Sequence, residues 1–215
     1  MSLANYIEHT LLKPNVTDAE LKKLFDEAKH NKFKGICINP VNVKMAKDYL
    51  KNTGVKIITV VGFPLGASLT EVKVFETQKA IENGADEIDM VISLQGIKNK
   101  DWDFVKKDIY EVKKACGSKI LKVIIETDLL NDEEIVKACE IAIEAKADFV
   151  KTSTGFVKDG VGAKAEDIEL MNSVVKDTDV RIKASGGIKS KEQALNLIEA
   201  GAQRLGTSSG VEINS

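Results

Sequence analysis

Ala145-Lys146-Ala147-Asp148-Phe149-Val150-Lys151-Thr152-Ser153-Thr154-Gly155 runs from a helix end through a small-residue turn into a short apolar strand, then out through a glycine-bearing loop. Asn83-Gly84-Ala85-Asp86-Glu87-Ile88 and Ala200-Gly201-Ala202-Gln203-Arg204-Leu205 repeat its first half. The small pair after each helix suits a left-handed cap and close packing beneath the next strand. Working outward, short β-branched runs alternate with amphipathic helical patterns, as a parallel α/β protein requires. The pattern predicts strands near Asn5–Leu11, Gly35–Ile38, Lys56–Val61, Glu87–Ile92, Ile120–Ile125, Phe149–Lys151, Arg181–Ala184 and Gln203–Gly206. Thr17-Asp18-Ala19-Glu20 has capping-box spacing, and Asn131-Asp132-Glu133-Glu134 brings carboxylates to the positive end of another helix. An open doubly wound sheet alternates in the same way. However, no GxGxxG follows the first strand, and eight units fit a (β/α)8 TIM barrel of the α/β class better.

The 215 residues suffice for one sizeable core and are too few for two full enzyme domains, so residues 1–215 are expected to form a single domain. Lys and Arg number 31 against 33 Asp and Glu, a formal net charge of -2 with both signs dispersed. That balance favours neither a nucleic acid nor an acidic membrane as partner. The segment Met1-Ser2-Leu3-Ala4-Asn5-Tyr6-Ile7-Glu8-His9 has no basic region leading into an apolar run, and no later stretch is long enough to span a bilayer, so a cytoplasmic location is expected. Cys37, Cys116 and Cys139 show no CxxC or Cys/His spacing and read as reduced thiols.

Two lysines fall inside stretches that should be dry strand, Lys151 and, in Val180-Arg181-Ile182-Lys183-Ala184-Ser185-Gly186-Gly187, Lys183. Burial disfavours an ammonium, and a neighbouring ammonium disfavours it further, which is how a strand lysine becomes a nucleophilic amine near neutral pH. Strand alternation adds two more groups. Asp89 opposes Ile88 and Met90, and Lys122 opposes Leu121 and Val123. If the apolar neighbours pack outward against helices, Asp89, Lys122, Lys151 and Lys183 all point into the barrel. A buried ion-pair network is the bland alternative, against which stands the mismatch of three lysines with one aspartate.

A phosphate site is legible independently. Gly186-Gly187-Ile188-Lys189-Ser190 follows the seventh strand and opens a helix, so backbone N–H groups and the helix dipole can meet a dianion. Ser208-Ser209-Gly210 repeats that geometry after the eighth strand, where barrel enzymes commonly hold phosphate.

At these residues the chain closely resembles the deoxyribose-phosphate aldolases, class I aldolases of the (β/α)8 fold. The resemblance runs through Glu8-His9-Thr10-Leu11-Leu12-Lys13-Pro14, Ile36-Cys37-Ile38-Asn39-Pro40, Val61-Gly62-Phe63-Pro64-Leu65-Gly66, Gly84-Ala85-Asp86-Glu87-Ile88-Asp89-Met90-Val91, Leu121-Lys122-Val123-Ile124-Ile125-Glu126-Thr127, Phe149-Val150-Lys151-Thr152-Ser153-Thr154-Gly155 and Arg204-Leu205-Gly206-Thr207-Ser208-Ser209-Gly210. It implies reversible cleavage of 2-deoxy-D-ribose 5-phosphate to acetaldehyde and D-glyceraldehyde 3-phosphate, in deoxyribonucleotide catabolism, without metal or other cofactor. It further implies that Lys151 is the Schiff-base lysine, Lys183 a protonated second lysine, and Asp89 the acid/base group, relaying protons with a water and Lys122. Thr10 and Cys37 match positions near this cluster, and Gly155 matches a phosphate contact. Relatives are often dimers, so a homodimer is the oligomer to expect.

The chain departs from the family at Glu8, where many members have aspartate, at Phe156, where some longer members have lysine, and at Ser93, where asparagine is frequent. Three other readings compete. A zinc-dependent class II aldolase needs a histidine-rich site, and this chain has only His9 and His30. A transaldolase-like enzyme would lack the second strand lysine before Gly-Gly. A non-enzymatic sugar-phosphate sensor would need Gly186, Gly187, Ser208 and Ser209 but no reactive lysine.

Overall fold

Strands form where apolar residues run together or alternate with polar ones: β1 (Ile7–Leu11), β2 (Gly35–Ile38), β3 (Lys56–Val61), β4 (Glu87–Val91), β5 (Ile120–Ile124), β6 (Phe149–Lys151), β7 (Arg181–Ser185) and β8 (Arg204–Thr207). They come from a computed structural model that describes residues 2–215. Met1, which opens the amino-terminal segment and the domain expected over residues 1–215, lies outside them. All eight strands pair in parallel and in chain order, and β8 returns to β1 through Ile7↔Leu205, Glu8↔Gly206 and His9↔Thr207, closing the barrel. The fold is the expected (β/α)8 TIM barrel.

The helices are α1 (Asp18–His30), α2 (Val43–Tyr49), α3 (Thr70–Glu82), α4 (Leu94–Lys98), α5 (Trp102–Cys116), α6 (Asp132–Glu144), α7 (Ala165–Val175), α8 (Lys191–Ala200) and α9 (Gly210–Asn214). Both expected starts are capping boxes, Thr17 with Glu20 and Asn131 with Glu134. A third, Ser190 with Gln193, opens α8. Each reciprocal pair satisfies donors that the first helical turn leaves unpaired.

The first strand begins two residues later than expected, because Tyr6 and Ile7 donate back to Leu3 and Ala4 in a turn. The last begins at Arg204: Gln203 N–H donates to Ile182 O at 2.9 Å, but Ile182 N–H donates back to the Gln203 side chain at 2.8 Å.

Side chains at even positions of β4 and β7 and odd positions of β5, including Ile88, Met90, Leu121, Val123 and Ile182, pack outward against Phe25, Ile109, Ile135 and Ile168 on the helices. Burying each such side chain contributes about 1.5–3 kcal/mol. Leu12, Cys37, Ile58 and Val60 form a separate apolar cluster with Phe63. Between α3 and α5 lies an ion pair that the sequence did not disclose. Lys73 Nζ, fully buried, donates to Asp108 Oδ2 at 2.6 Å and to Val91 O at 3.1 Å. No helix among the described residues is long and apolar enough to cross a membrane.

Candidate active site

Asp89 sits at the middle of β4, and its neighbours across the sheet are set by register: Lys122 is its Cα partner on β5, while Lys151 and Lys183 partner each other on β6 and β7. All four side chains point inward, as strand alternation requires. Lys122 Nζ donates to Asp89 Oδ1 at 3.0 Å, and Lys151 Nζ and Lys183 Nζ donate to Asp89 Oδ2 at 2.9 and 2.7 Å. One carboxylate oxygen therefore stands between the two strand lysines. Room for the Lys183 stem comes from Gly206 on β8, where an added Cβ would lie 3.0 Å from Lys183 Cε.

The sequence count of three lysines and one aspartate was incomplete. Glu8 on β1 accepts from Lys183 and lies 3.4 Å from Lys122, while Glu87 on β4 lies 2.5 Å from Lys122. Arg204 on β8 approaches Glu8 at 3.5 Å and Glu87 at 3.8 Å. Lys122, Lys151, Lys183 and Arg204 thus face Glu8, Glu87 and Asp89, so the mismatch is one charge rather than two. Glu87 shares the strand parity of Asp89, and that signal could have found it. Arg204 alternates with the outward-packed Leu205 and stands in register with Lys183, so the same signal applies to it.

This environment fixes the charges. Burial opposes ionisation of Asp89, but the ammonium groups of Lys122, Lys151 and Lys183 overcome it and hold the carboxyl well below the usual carboxylate range. Glu8 is lowered for the same reason, with burial opposed by Lys122 and Lys183. Burial favours the neutral amine of Lys183, yet the Asp89 and Glu8 carboxylates outweigh it and raise its pKa; Lys122 is raised in the same way. Cys37 lies in the apolar cluster, and burial pushes its thiol up, so it behaves as a small hydrophobe; Cys116 and Cys139 are likewise free and buried.

Above the lysines opens a cavity of about 320 Å³ at the C-terminal ends of the strands, lined by Lys151 together with Thr10, Gly155, Phe156, Gly186, Gly187 and Ser208. The buried Ser153 also lines it, and its Oγ has no hydrogen-bond partner among the described residues. Ser209 does not reach the lining, because its N–H turns back to Thr207 Oγ1 at 2.9 Å. The expected contribution of the helix start is also smaller than the sequence suggested, since the N–H groups of Lys189 and Ser190 are taken by Gln193 Oε1. A larger cavity of about 630 Å³ lies beside α3 and α5, but none of Lys122, Lys151 or Lys183 lines it, so size alone does not locate the chemistry. Among the described residues no group of three His, Cys, Asp or Glu side chains is arranged to hold a metal.

A family description, DeoC/LacD family aldolase, matches residues 3–213. The chain belongs to this family. It is 56% identical over 218 residues to the deoxyribose-phosphate aldolase of Thermococcus gammatolerans, covering 99% of this chain and 95% of that one. It is 54% identical over 213 residues to the enzyme of the same name from Finegoldia magna, covering 99% of both chains. Among solved structures, the deoxyribose phosphate aldolase of Aeropyrum pernix, described as tetrameric, superposes with a TM-score of 0.91 at 34% identity, over 98% of this chain and 88% of that one. For a DeoC/LacD aldolase, buried lysines beneath a cavity at the C-terminal mouth of the barrel are the centre of chemical interest.

Proposed function

We propose that this chain is a class I deoxyribose-phosphate aldolase, cleaving 2-deoxy-D-ribose 5-phosphate reversibly to acetaldehyde and D-glyceraldehyde 3-phosphate. The observation that carries this reading is the meeting of Lys151 and Lys183 at one oxygen of Asp89, with Lys151 alone of the three inward lysines lining the cavity.

The free amine of Lys151 adds to C1 of the open-chain sugar. Loss of water from the carbinolamine gives an iminium, the electron sink that a metal would otherwise provide. The C3 hydroxyl gives up its proton as the C2–C3 bond breaks, releasing glyceraldehyde 3-phosphate and leaving an enamine. Protonation at C2 and hydrolysis then release acetaldehyde and restore Lys151. Asp89, with a water and Lys122, moves the protons of dehydration and enamine protonation. Lys183 remains an ammonium that holds the Asp89 carboxylate in place. Gly155, Gly186, Gly187 and Ser208 receive the phosphate at the mouth, and Ser209 supports that turn from behind.

Borohydride treatment with substrate present should inactivate the enzyme and leave the adduct on Lys151, since hydride converts a Schiff base to a stable secondary amine. Peptide mapping that finds the label on Lys122 or Lys183 overturns the role assignment. Activity that chelator abolishes and zinc restores overturns the class I chemistry. A cytoplasmic homodimer completes the reading. The exposed apolar side chains of Val41, Leu65, Leu69, Val72 and Phe75 support self-association, and sedimentation equilibrium checks it.

A further inference from the structure

We infer that Asp128 is a positioning residue for the phosphate end of the site, acting through the backbone of Val161 and Gly162 on the Gly186-Gly187 turn. The inference rests on the aldolase reading above and adds a residue to it.

Asp128 lies in the single 3-10 turn Thr127–Leu129 that follows β5. Its two carboxylate oxygens take two consecutive backbone donors of the long connection between β6 and α7: Val161 N–H reaches Oδ1 at 3.2 Å and Gly162 N–H reaches Oδ2 at 2.8 Å. A carboxylate accepting backbone N–H groups makes the stronger, charge-assisted kind of hydrogen bond. The bracket therefore fixes where residues 161 and 162 lie.

Those two residues are pressed directly against the glycine turn. An added Cβ on Gly162 would come within 2.5 Å of the Gly186 carbonyl carbon and oxygen, and one on Gly187 would come within 2.4 Å of Val161 O. Gly162, Gly186 and Gly187 all have positive φ, at 83°, 85° and 73°. Ala163 N–H donates to Gly186 O at 3.1 Å, joining the two segments. With backbone against backbone and no side chain between them, a shift at 161–162 has no slack in which to dissipate before it moves Gly186.

The same short stretch secures the other wall of the cavity. Glu126 adopts φ 61°, a left-handed conformation that non-glycine residues rarely take. That bend turns its buried carboxylate back to Thr154, whose N–H donates to Oε1 at 3.0 Å and whose hydroxyl donates to Oε2. Thr154 precedes Gly155. Glu126 and Asp128 thus hold the connection at both ends from the short segment that follows β5, and neither lines the cavity.

The test uses the full chain with Asp128→Ala and Asp128→Asn, read by steady-state kinetics on 2-deoxyribose 5-phosphate and on unphosphorylated 2-deoxyribose, and by inhibition with inorganic phosphate. Asp128→Ala should raise both KM for the phosphorylated sugar and the inhibition constant of inorganic phosphate about tenfold, with kcat little changed. kcat/KM for 2-deoxyribose should stay within about twofold. Asp128→Asn keeps one acceptor and should fall between wild type and Asp128→Ala; if Asp128→Ala fails to fold, the same comparison on Asp128→Asn decides. Equal losses on the two sugars, or an unchanged phosphate inhibition constant in a folded variant, overturn the inference. Wild-type protein that does not cleave 2-deoxyribose 5-phosphate overturns the aldolase reading instead, so the two failures are told apart.

Discussion

Along β2 and β3 the barrel interior is filled by Cys37, Ile58 and Val60 with Leu12 and Phe63 alongside, whereas β1 and β4 to β8 set Glu8, Glu87, Asp89, Lys122, Lys151, Lys183 and Arg204 among Val91, Ile124 and Phe149. The two halves obey different rules. In the apolar half each side chain contributes mainly its own volume, and losing one leaves a cavity that neighbours partly fill. In the charged half each group is tolerable only because the others are present, so removing one strands its partners in a medium that solvates them poorly. The apolar half also walls the charged half from water on one side, strengthening every interaction within it.

The sharpest way to break this contrast is to remove the proposed nucleophile. Lys151→Ala should lower kcat for 2-deoxyribose 5-phosphate by on the order of 10⁴-fold or more, measured as release of glyceraldehyde 3-phosphate, while the chain still folds. Retention of a few per cent of the rate would mean that another lysine substitutes.

Asp89→Asn comes next and should strike both properties. The rate should fall about 10²- to 10⁴-fold, and stability should drop by about 3–5 kcal/mol, because three lysines lose the negative charge they share. Asp89 and Glu8 have folded-state pKa values below their ordinary 3.8 and 4.5, so the stability they supply is complete above those values and drains away as pH falls through the lower folded ones. Asp89→Asn should accordingly flatten the acid side of the stability profile in urea titrations. An unchanged profile would show that the cluster is not linked to folding in this way.

Lys183→Leu should have a smaller effect. It removes one of the cations that hold the Asp89 and Glu8 carboxyls down, so both should protonate at higher pH and the acidic limb of kcat/KM should move upward, with partial recovery as pH is raised. A collapse of rate with no movement of that limb would give Lys183 a direct part in proton transfer.

The smallest effect on rate belongs to the apolar half. Ile58→Ala should cost about 2–5 kcal/mol in chemical denaturation and leave kcat per folded molecule within a few-fold. A rate loss comparable to that of Lys183→Leu would erase the distinction between the halves.

Strand alternation made much of this legible in the sequence. The period-2 patterns of β4 and β5 placed Asp89 and Lys122 inside, and the β6 run ending at Lys151 needed no correction. The repeated helix-end turns supported the alternation of helix and strand. What stayed hidden depended on relations between distant segments. Arg204 meets Glu8, a carboxylate that the resemblance already set near the lysines, only because β8 closes onto β1, and no local window contains that seam. Ser209 looked like a contact because it lies in a polar turn, but the direction of its N–H is a property of the folded turn. Lys73 and Asp108 each read as ordinary residues on amphipathic helices, and only the packing of α3 against α5 brings them together.

The β1–β8 seam also bears on how the chain is made. Glu8 is synthesised well before two of its cationic partners, Lys183 and Arg204. Until they arrive, a partial barrel has only Lys122 and Lys151 to meet the carboxylates of Glu8, Glu87 and Asp89, and it exposes the open edges of β1 and of its latest strand, the kind of surface on which β-rich intermediates aggregate. Closure joins residues nearly the full chain length apart and completes the charge network in the same event. Assembly of the reactive centre is thereby tied to closure of the barrel, so a barrel still lacking β7 and β8 has neither a sealed sheet nor the complete charge network.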